Sequence, residues 1–200
     1  RSYSVTGVQT CALPILDESD QSQLHYAPDF ALITNLDSDH MDVYHNVSGL
    51  KKSFKQFIEQ VKNSGSVIYC YDDLNIREVI GQIQLGKSVV SYGVTEESDF
   101  YAQDIKLTGF SSSYVLYEEK KRIGTIQLSV TGIHNIRNSL GVIALLRKFG
   151  LRYDQFLKYL SEFRGAGRRL EIKLKQDDLV VVDDYAHHPT EVNASLSAIR

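Results

Sequence analysis

Four short clusters along the chain hold residue types that do chemistry. The first is Asn35-Leu36-Asp37-Ser38-Asp39-His40-Met41-Asp42. A neutral imidazole beside carboxylates can ligate a divalent cation or orient the waters around Mg²⁺. An acidic surface loop with an incidental histidine has the same composition. The second is Gly132-Ile133-His134-Asn135-Ile136-Arg137-Asn138. Residues 134 and 138 share a helix face, and a helix N-terminus offers free N–H groups to an anion or a polar ring. Asparagine can also pair with both the donor and the acceptor of an adenine edge. Plain helix capping is the alternative. The third is Gly165-Ala166-Gly167-Arg168-Arg169: glycine allows close backbone approach and guanidinium grips oxyanions. A solvated basic turn is the alternative. The fourth is Asp183-Asp184-Tyr185-Ala186-His187-His188-Pro189-Thr190-Glu191. Its two adjacent histidines diverge and have no third ligand at zinc spacing; local capping by aspartate is the structural alternative.

The elements that must position these clusters follow from periodicity. Asp29–Asn35, Ser66–Tyr71 and Ser88–Tyr92 read as buried strands. Apolar spacings of three and four mark helices over Val47–Lys62 and Leu74–Ile83, the second capped by Asp72 or Asp73. That alternation implies parallel strands joined by helical crossovers. Phe100–Leu107, Ser113–Tyr117 and Gly124–Val130 alternate and predict an antiparallel meander. Helices are expected over Ile133–Phe149, closed by Gly150, and over Tyr153–Phe163 and Thr190–Arg200. Leu170–Lys175 and Leu179–Asp183 form a further strand pair, with a boundary near Gly165–Arg169. Clusters one, two and four each follow a strand, where open α/β sheets gather ligands.

Composition narrows the field. Of 200 residues, 42% are hydrophobic and 24% charged, an ordinary globular balance. Lys+Arg number 22 against 25 Asp+Glu, a net charge of -3 that argues against a nucleic-acid partner. No apolar run is long enough to cross a membrane. Two cysteines form no disulfide framework, so a cytoplasmic setting is expected. The sequence holds no G-x-x-x-x-G-K-[ST] loop, G-x-G-x-x-G turn or G-x-S-x-G elbow. Chemistry by these residues alone is therefore not expected. Arg1–Ile15, RSYSVTGVQTCALPI, reads as foreign: Val5–Ile15 matches the codon-by-codon translation of a sequencing adaptor. Such a segment is set aside from fold reasoning, which leaves Cys70 as the one cysteine.

In order and spacing, the stretches DESDQSQLHYAPDFALITNLDSDHMD, SYGVTEESDFYAQDI, SVTGIHNIRNSL, FRGAGRRLE and VVVDDYAHHPTEV resemble the Mur ligases. They are most similar to the branch that adds L-alanine to UDP-N-acetylmuramate. The resemblance spans Asp17–Val192. It implies an α/β fold: the later part of a P-loop-type central ATPase domain over 16–167, a mostly parallel sheet with a small antiparallel meander. The beginning of a Rossmann-like C-terminal domain would follow over 168–200. It further implies ATP and Mg²⁺ as cofactors, and UDP-N-acetylmuramate and L-alanine as substrates. ATP would phosphorylate the muramoyl carboxylate, and the alanine amine would displace phosphate from the acyl phosphate. Carried over by position, His40 would hold Mg²⁺, and His134, Asn135 and Asn138 would surround the adenine. Arg169 would reach the phosphates and Asp184 the ribose, with Tyr185 and His187 beside the incoming L-alanine. One departure stands out. The family pattern E-x-D-E-S-D begins with a second Mg²⁺ ligand, and Ile15 occupies that place. The family branch that adds a tripeptide shares several of these motifs, and a nucleotide-binding module without ligase activity is the reading from a different class.

Overall fold

The computed structural model describes residues 21–38, 41–83 and 86–199. In chain order the elements are a 3₁₀ turn (Ser22–His25), β1 (Phe30–Ile33), α1 (Met41–Tyr44), α2 (Val47–Gln60), β2 (Ser66–Cys70) and α3 (Leu74–Gly81). Next come β3 (Ser88–Gly93), β4 (Phe100–Thr108), β5 (Ser111–Glu118), β6 (Lys121–Leu128), α4 (Ile133–Lys148) and α5 (Tyr153–Leu160). The chain continues through β7 (Glu171–Lys175), β8 (Val180–Asp183) and α6 (Pro189–Ile199).

Six strands form one sheet in the order β1-β2-β3-β4-β5-β6. β1, β2 and β3 are parallel, with Ala31 opposite Val67 and Ile68 opposite Val90. The short meander β4–β5–β6 is antiparallel, as the alternation predicts. β4 also runs parallel to β3 without a helical crossover. Only Tyr92–Phe100 and Gly93–Tyr101 pair there, so the chain drops back by no more than the tip of a strand. Asp99 fixes that return: its carboxylate accepts the Ser91 N–H and hydroxyl, both at 2.8 Å, and its own N–H donates to Ser91 Oγ at 2.9 Å. The β5–β6 turn places Glu119 and Lys120 both at positive φ, the twist a tight hairpin requires.

The parallel strands are continuous apolar runs because helices cover them. Helix α4 crosses β1 to β4 and buries Ile136, Leu140, Ile143 and Ala144 completely. It can lie this close because of Gly141. A Cβ there would stand 2.9 Å from the Tyr92 ring and 3.1 Å from Leu32 Cδ1. Helix α2 ends two residues earlier than its periodicity predicts. Val61 turns extended and buries its side chain, while Lys87 Nζ donates to the terminal carbonyls of Ile58, at 3.1 Å, Glu59, at 2.9 Å, and Val61. A cation at a helix C-terminus satisfies orphan carbonyls and complements the dipole. Helix α5 stops at Leu160, short of the expected Phe163, which is exposed.

β7 and β8 pair with each other in a separate two-stranded antiparallel sheet. Their residues Ile172, Leu174, Val180 and Val181 are exposed, as are Leu179 in the turn between them and Val192, Leu196 and Ile199 of α6. Among the described residues, no helix is long and apolar enough to cross a membrane.

Candidate functional site

The loop after β1 is set by the cap of α3. Asp73, not Asp72, caps that helix: Oδ1 accepts the Ile76 N–H at 2.9 Å while Oδ2 accepts the Leu36 N–H at 3.1 Å. Asn75 Nδ2 then donates to the Leu36 carbonyl at 2.9 Å. Leu36 is buried by these ties, and Asp37 follows it at the carboxyl edge of the sheet. The Asp37 carboxylate lies 3.8 Å from His188 Nδ1. The Thr190 hydroxyl, the Ser38 N–H and His188 hold its carboxyl below the usual range, against the opposing pull of burial. The first and fourth clusters are therefore in contact. Asp39 and His40 lie outside the described residues, so the metal-ligand expectation for His40 has no geometry here.

The second cluster opens α4 through Gly132, whose φ of 97° suits glycine. A Cβ on Gly132 would stand 2.6 Å from the His134 ring and 3.0 Å from Ala198 of α6. Asn135 Nδ2 donates to the Thr131 carbonyl at 2.7 Å and sits 3.1 Å from His134 Nε2. Since the amide nitrogen is the donor, Nε2 accepts and the imidazole is neutral. The electrostatics agree: burial first, then the charges of Arg137 and Arg169, lower the His134 pKa, with Asp184 pulling the other way. His134 thus feels residues of the third and fourth clusters. Asn138 is exposed one turn further along α4.

The third cluster is a strained turn. Gly165, Arg168 and Leu170 have φ values of 95°, 58° and 49°. An aliphatic residue in that region needs outside support. Leu170 N–H donates to Asp184 Oδ2 at 2.8 Å, and Tyr185 N–H donates to the Arg168 carbonyl at 2.7 Å. Asp184 Oδ1 accepts the Ala186 N–H at 2.7 Å. Burial would raise the Asp184 pKa, but these N–H groups, the Ser195 hydroxyl and Arg169 hold it below the ordinary value. Both arginines stack over Tyr185, Arg168 at 4.8 Å and Arg169 at 5.6 Å from the ring centre.

In the fourth cluster Pro189 begins α6, where its missing N–H costs nothing. Glu191 accepts the backbone N–H of His187 at 3.3 Å and lies 3.5 Å from Arg169 Nη1. His187 Nδ1 is 3.1 Å from the Tyr185 carbonyl and 3.6 Å from Glu191. Both neighbours only accept, so Nδ1 carries a hydrogen. The His187 ring meets Tyr185 edge-on at 5.2 Å. Arg169, Asp184, Tyr185 and His187 thus form one connected group, with His134 within its electrostatic reach. Among the described residues, no group of three or more His, Cys, Asp or Glu is arranged to hold a metal ion. Two further residues complete this edge. His188 and Thr190 make the contact with Asp37, and only their places beside the assigned residues in DDYAHHPTE could have marked them.

Residues 15–146 match the sequence profile of the Mur ligase middle domain. The chain belongs to the Mur ligase family. A UDP-N-acetylmuramate–L-alanine ligase of Geobacter sp. (strain M21) is 37% identical over 184 residues, covering 92% of this chain and 40% of that protein. Among solved structures, the UDP-N-acetylmuramate-alanine ligase MurC of Thermotoga maritima superposes with a TM-score of 0.77 at 26% identity. It is matched over 92% of this chain and 40% of its own. A MurF ligase of Thermotoga maritima in complex with ADP shares the fold at a TM-score of 0.72 and 17% identity, over 89% of this chain and 40% of its own. The chain thus spans about two fifths of the length of these Mur ligases. The matched residues of the family profile run through β1 to β6 and most of α4.

Proposed function

We propose that this chain is the nucleotide-side segment of an ATP-dependent, ADP-forming ligase that joins L-alanine to UDP-N-acetylmuramate through an acyl phosphate, in the cytoplasm. The observation that carries this reading is the convergence of four clusters, far apart in sequence, at the carboxyl edge of one sheet. It is supported by 37% identity to a protein of that name. In this reading the opening turns of α4 take the adenine, with Asn138 supplying an amide, Asn135 the oxygen of an amide whose nitrogen is committed to Thr131 and His134, and His134 a neutral ring. Arg169 supplies a fixed positive charge for the phosphates, which in-line phosphoryl transfer needs more than covalent help. Asp184 keeps lone pairs beyond those given to backbone N–H groups, so it can still accept from a ribose hydroxyl. In the same reading Tyr185 and His187 stand beside the incoming amine. Mg²⁺ would neutralise phosphate charge when bound, and His40 is its proposed ligand.

Residues 16–167 are proposed as the later part of the central domain, and 168–200 as the start of the C-terminal one. The change of sheet after α5 and the exposed apolar residues of β7, β8 and α6 support that division. Residues 1–15 are proposed as foreign to the ligase. The test is ADP release by the full-length protein carrying this segment, given UDP-N-acetylmuramate with L-alanine or with a tripeptide. Stimulation by L-alanine is expected. Stimulation by the tripeptide alone would replace this reading with the tripeptide-adding one. Absence of ADP release with either would leave a nucleotide-binding module.

A further inference from the structure

Asp72 is outside the four clusters, and Arg137 acts on His134 only through its charge. Asp72 follows β2, and its side chain is 8% exposed. Its two carboxylate oxygens accept the Val94 N–H at 3.2 and 3.0 Å, and Oδ2 accepts Arg137 Nε at 2.6 Å. This approach depends on Gly93 at the end of β3, where a Cβ would stand 2.6 Å from Asp72 Oδ1. The Tyr71 N–H donates to the Tyr92 carbonyl at 2.7 Å and closes the same edge. One buried carboxylate therefore joins the tip of β2, the exit of β3 and the start of α4. The junction borders a cleft of about 380 Å³ lined also by Tyr71, Arg77, Thr95 and Glu97.

Arg137 lies between Asn135 and Asn138 in the opening turns of α4. Further along, that helix is held to the sheet by apolar packing through Ile136, Leu140 and Ile143, by the Ser139–Tyr114 hydroxyl contact at 2.7 Å and by the Arg147–Glu118 pair at 3.4 Å. Its opening turns have Arg137 as their charged tie to the sheet edge. Apolar burial is non-directional and tolerates small slides along the helix axis. A charge-assisted hydrogen bond is directional and does not. We propose that the Asp72–Arg137 pair is a positioning device that fixes the N-terminal turn of α4 against the carboxyl edge of the sheet. It thereby sets where His134, Asn135 and Asn138 present their groups to a nucleotide. The inference rests on the ligase reading for the identity of that nucleotide.

The experiment is steady-state kinetics of the full-length protein with Arg137→Gln and Arg137→Lys, alongside thermal unfolding of each variant. A positional error well under 1 Å should cost about tenfold, below the hundredfold that a full ångström can cost. Arg137→Gln is expected to raise KM for ATP about tenfold, with kcat and the KM for UDP-N-acetylmuramate within about twofold of wild type. Arg137→Lys should recover part of that loss. The proposal is overturned by a folded Arg137→Gln protein with wild-type KM for ATP. It is equally overturned if apparent kcat falls in step with the folded fraction while both KM values stay at wild type. Should Arg137→Gln not fold, the near-isosteric Asp72→Asn carries the same comparison. If the wild-type protein turns over no ATP, the ligase reading fails, and amide exchange in the 200-residue chain decides the present point. Arg137→Gln is then expected to speed exchange at Ile136–Ser139 about tenfold relative to Leu145–Lys148. Unchanged exchange overturns the proposal.

Discussion

Asp184 shows how one residue type at one position is asked to do two things. Its carboxylate accepts the N–H groups of Leu170 and Ala186 at 2.8 and 2.7 Å and so supports two strained or sharply turning segments. In the ligase reading it also faces a ribose. Because its folded pKa lies below the unfolded one, the stability it contributes is complete above the ordinary carboxylate range. That contribution is lost as pH falls through the depressed folded value. Asp37 and Glu191 are shifted in the same direction. Thermal melts between pH 7 and pH 2 should therefore show a shallow loss below about pH 6.5, where the buried His134 is harder to protonate folded than unfolded, and a steeper fall below about pH 4. Asp184→Asn should flatten part of that fall and cost about 1–2 kcal/mol at neutral pH, read from the same melts. An acid limb unchanged by the substitution would show that Asp184 is not among the groups responsible.

At the scale of elements, close approach decides what helix propensity would get wrong. Gly141 sits in the interior of α4, where alanine is favoured by about 1 kcal/mol on propensity alone. The added methyl would meet the buried Tyr92 ring at 2.9 Å, and overpacking of this kind costs about 1–3 kcal/mol. Gly141→Ala is therefore expected to lower stability by about 1 kcal/mol, measured as a reduced denaturant midpoint. A raised midpoint would mean that Leu32 and Tyr92 give way more easily than their burial suggests. The same reasoning explains the end of α2. Periodicity carries the helix through Lys62, but Val61 is drawn into the core and Lys87 takes the released carbonyls.

The described residues form two unequal sheets that meet at the site edge. The six-stranded sheet has a continuous core, whereas β7, β8 and α6 leave large apolar side chains in water. Cys70 reports on the first of these. It is 3% exposed in β2, and burial pushes its thiol pKa up, so thiolate is scarce and access is closed. Its labelling by a maleimide, followed by peptide mass spectrometry, should track global unfolding of the large sheet. Hydrogen exchange in β7 and β8 should be faster than that labelling by at least about tenfold, because few buried contacts hold that hairpin. Equal rates would mean that the two sheets unfold as one unit.

The α/β alternation, the parallel strands, the meander and the four clusters are legible from residue order, because each is written in local periodicity, turn residues and short spacings. DDYAHHPTE and GIHNIRN could be singled out with no knowledge of their distance in space. Which clusters meet is set by the packing of the elements in three dimensions. Asp37 reaches His188 across more than half of the described chain, and Asp184 bears on His134 through a turn that forces Leu170 to positive φ. That packing also makes Asp73 the cap and Asp72 the partner of Arg137, a distinction that two adjacent aspartates cannot encode locally. Periodicity fixes which way a side chain points from its own element. The partner it finds there is set by how the other elements pack, and that depends on every close approach in the core.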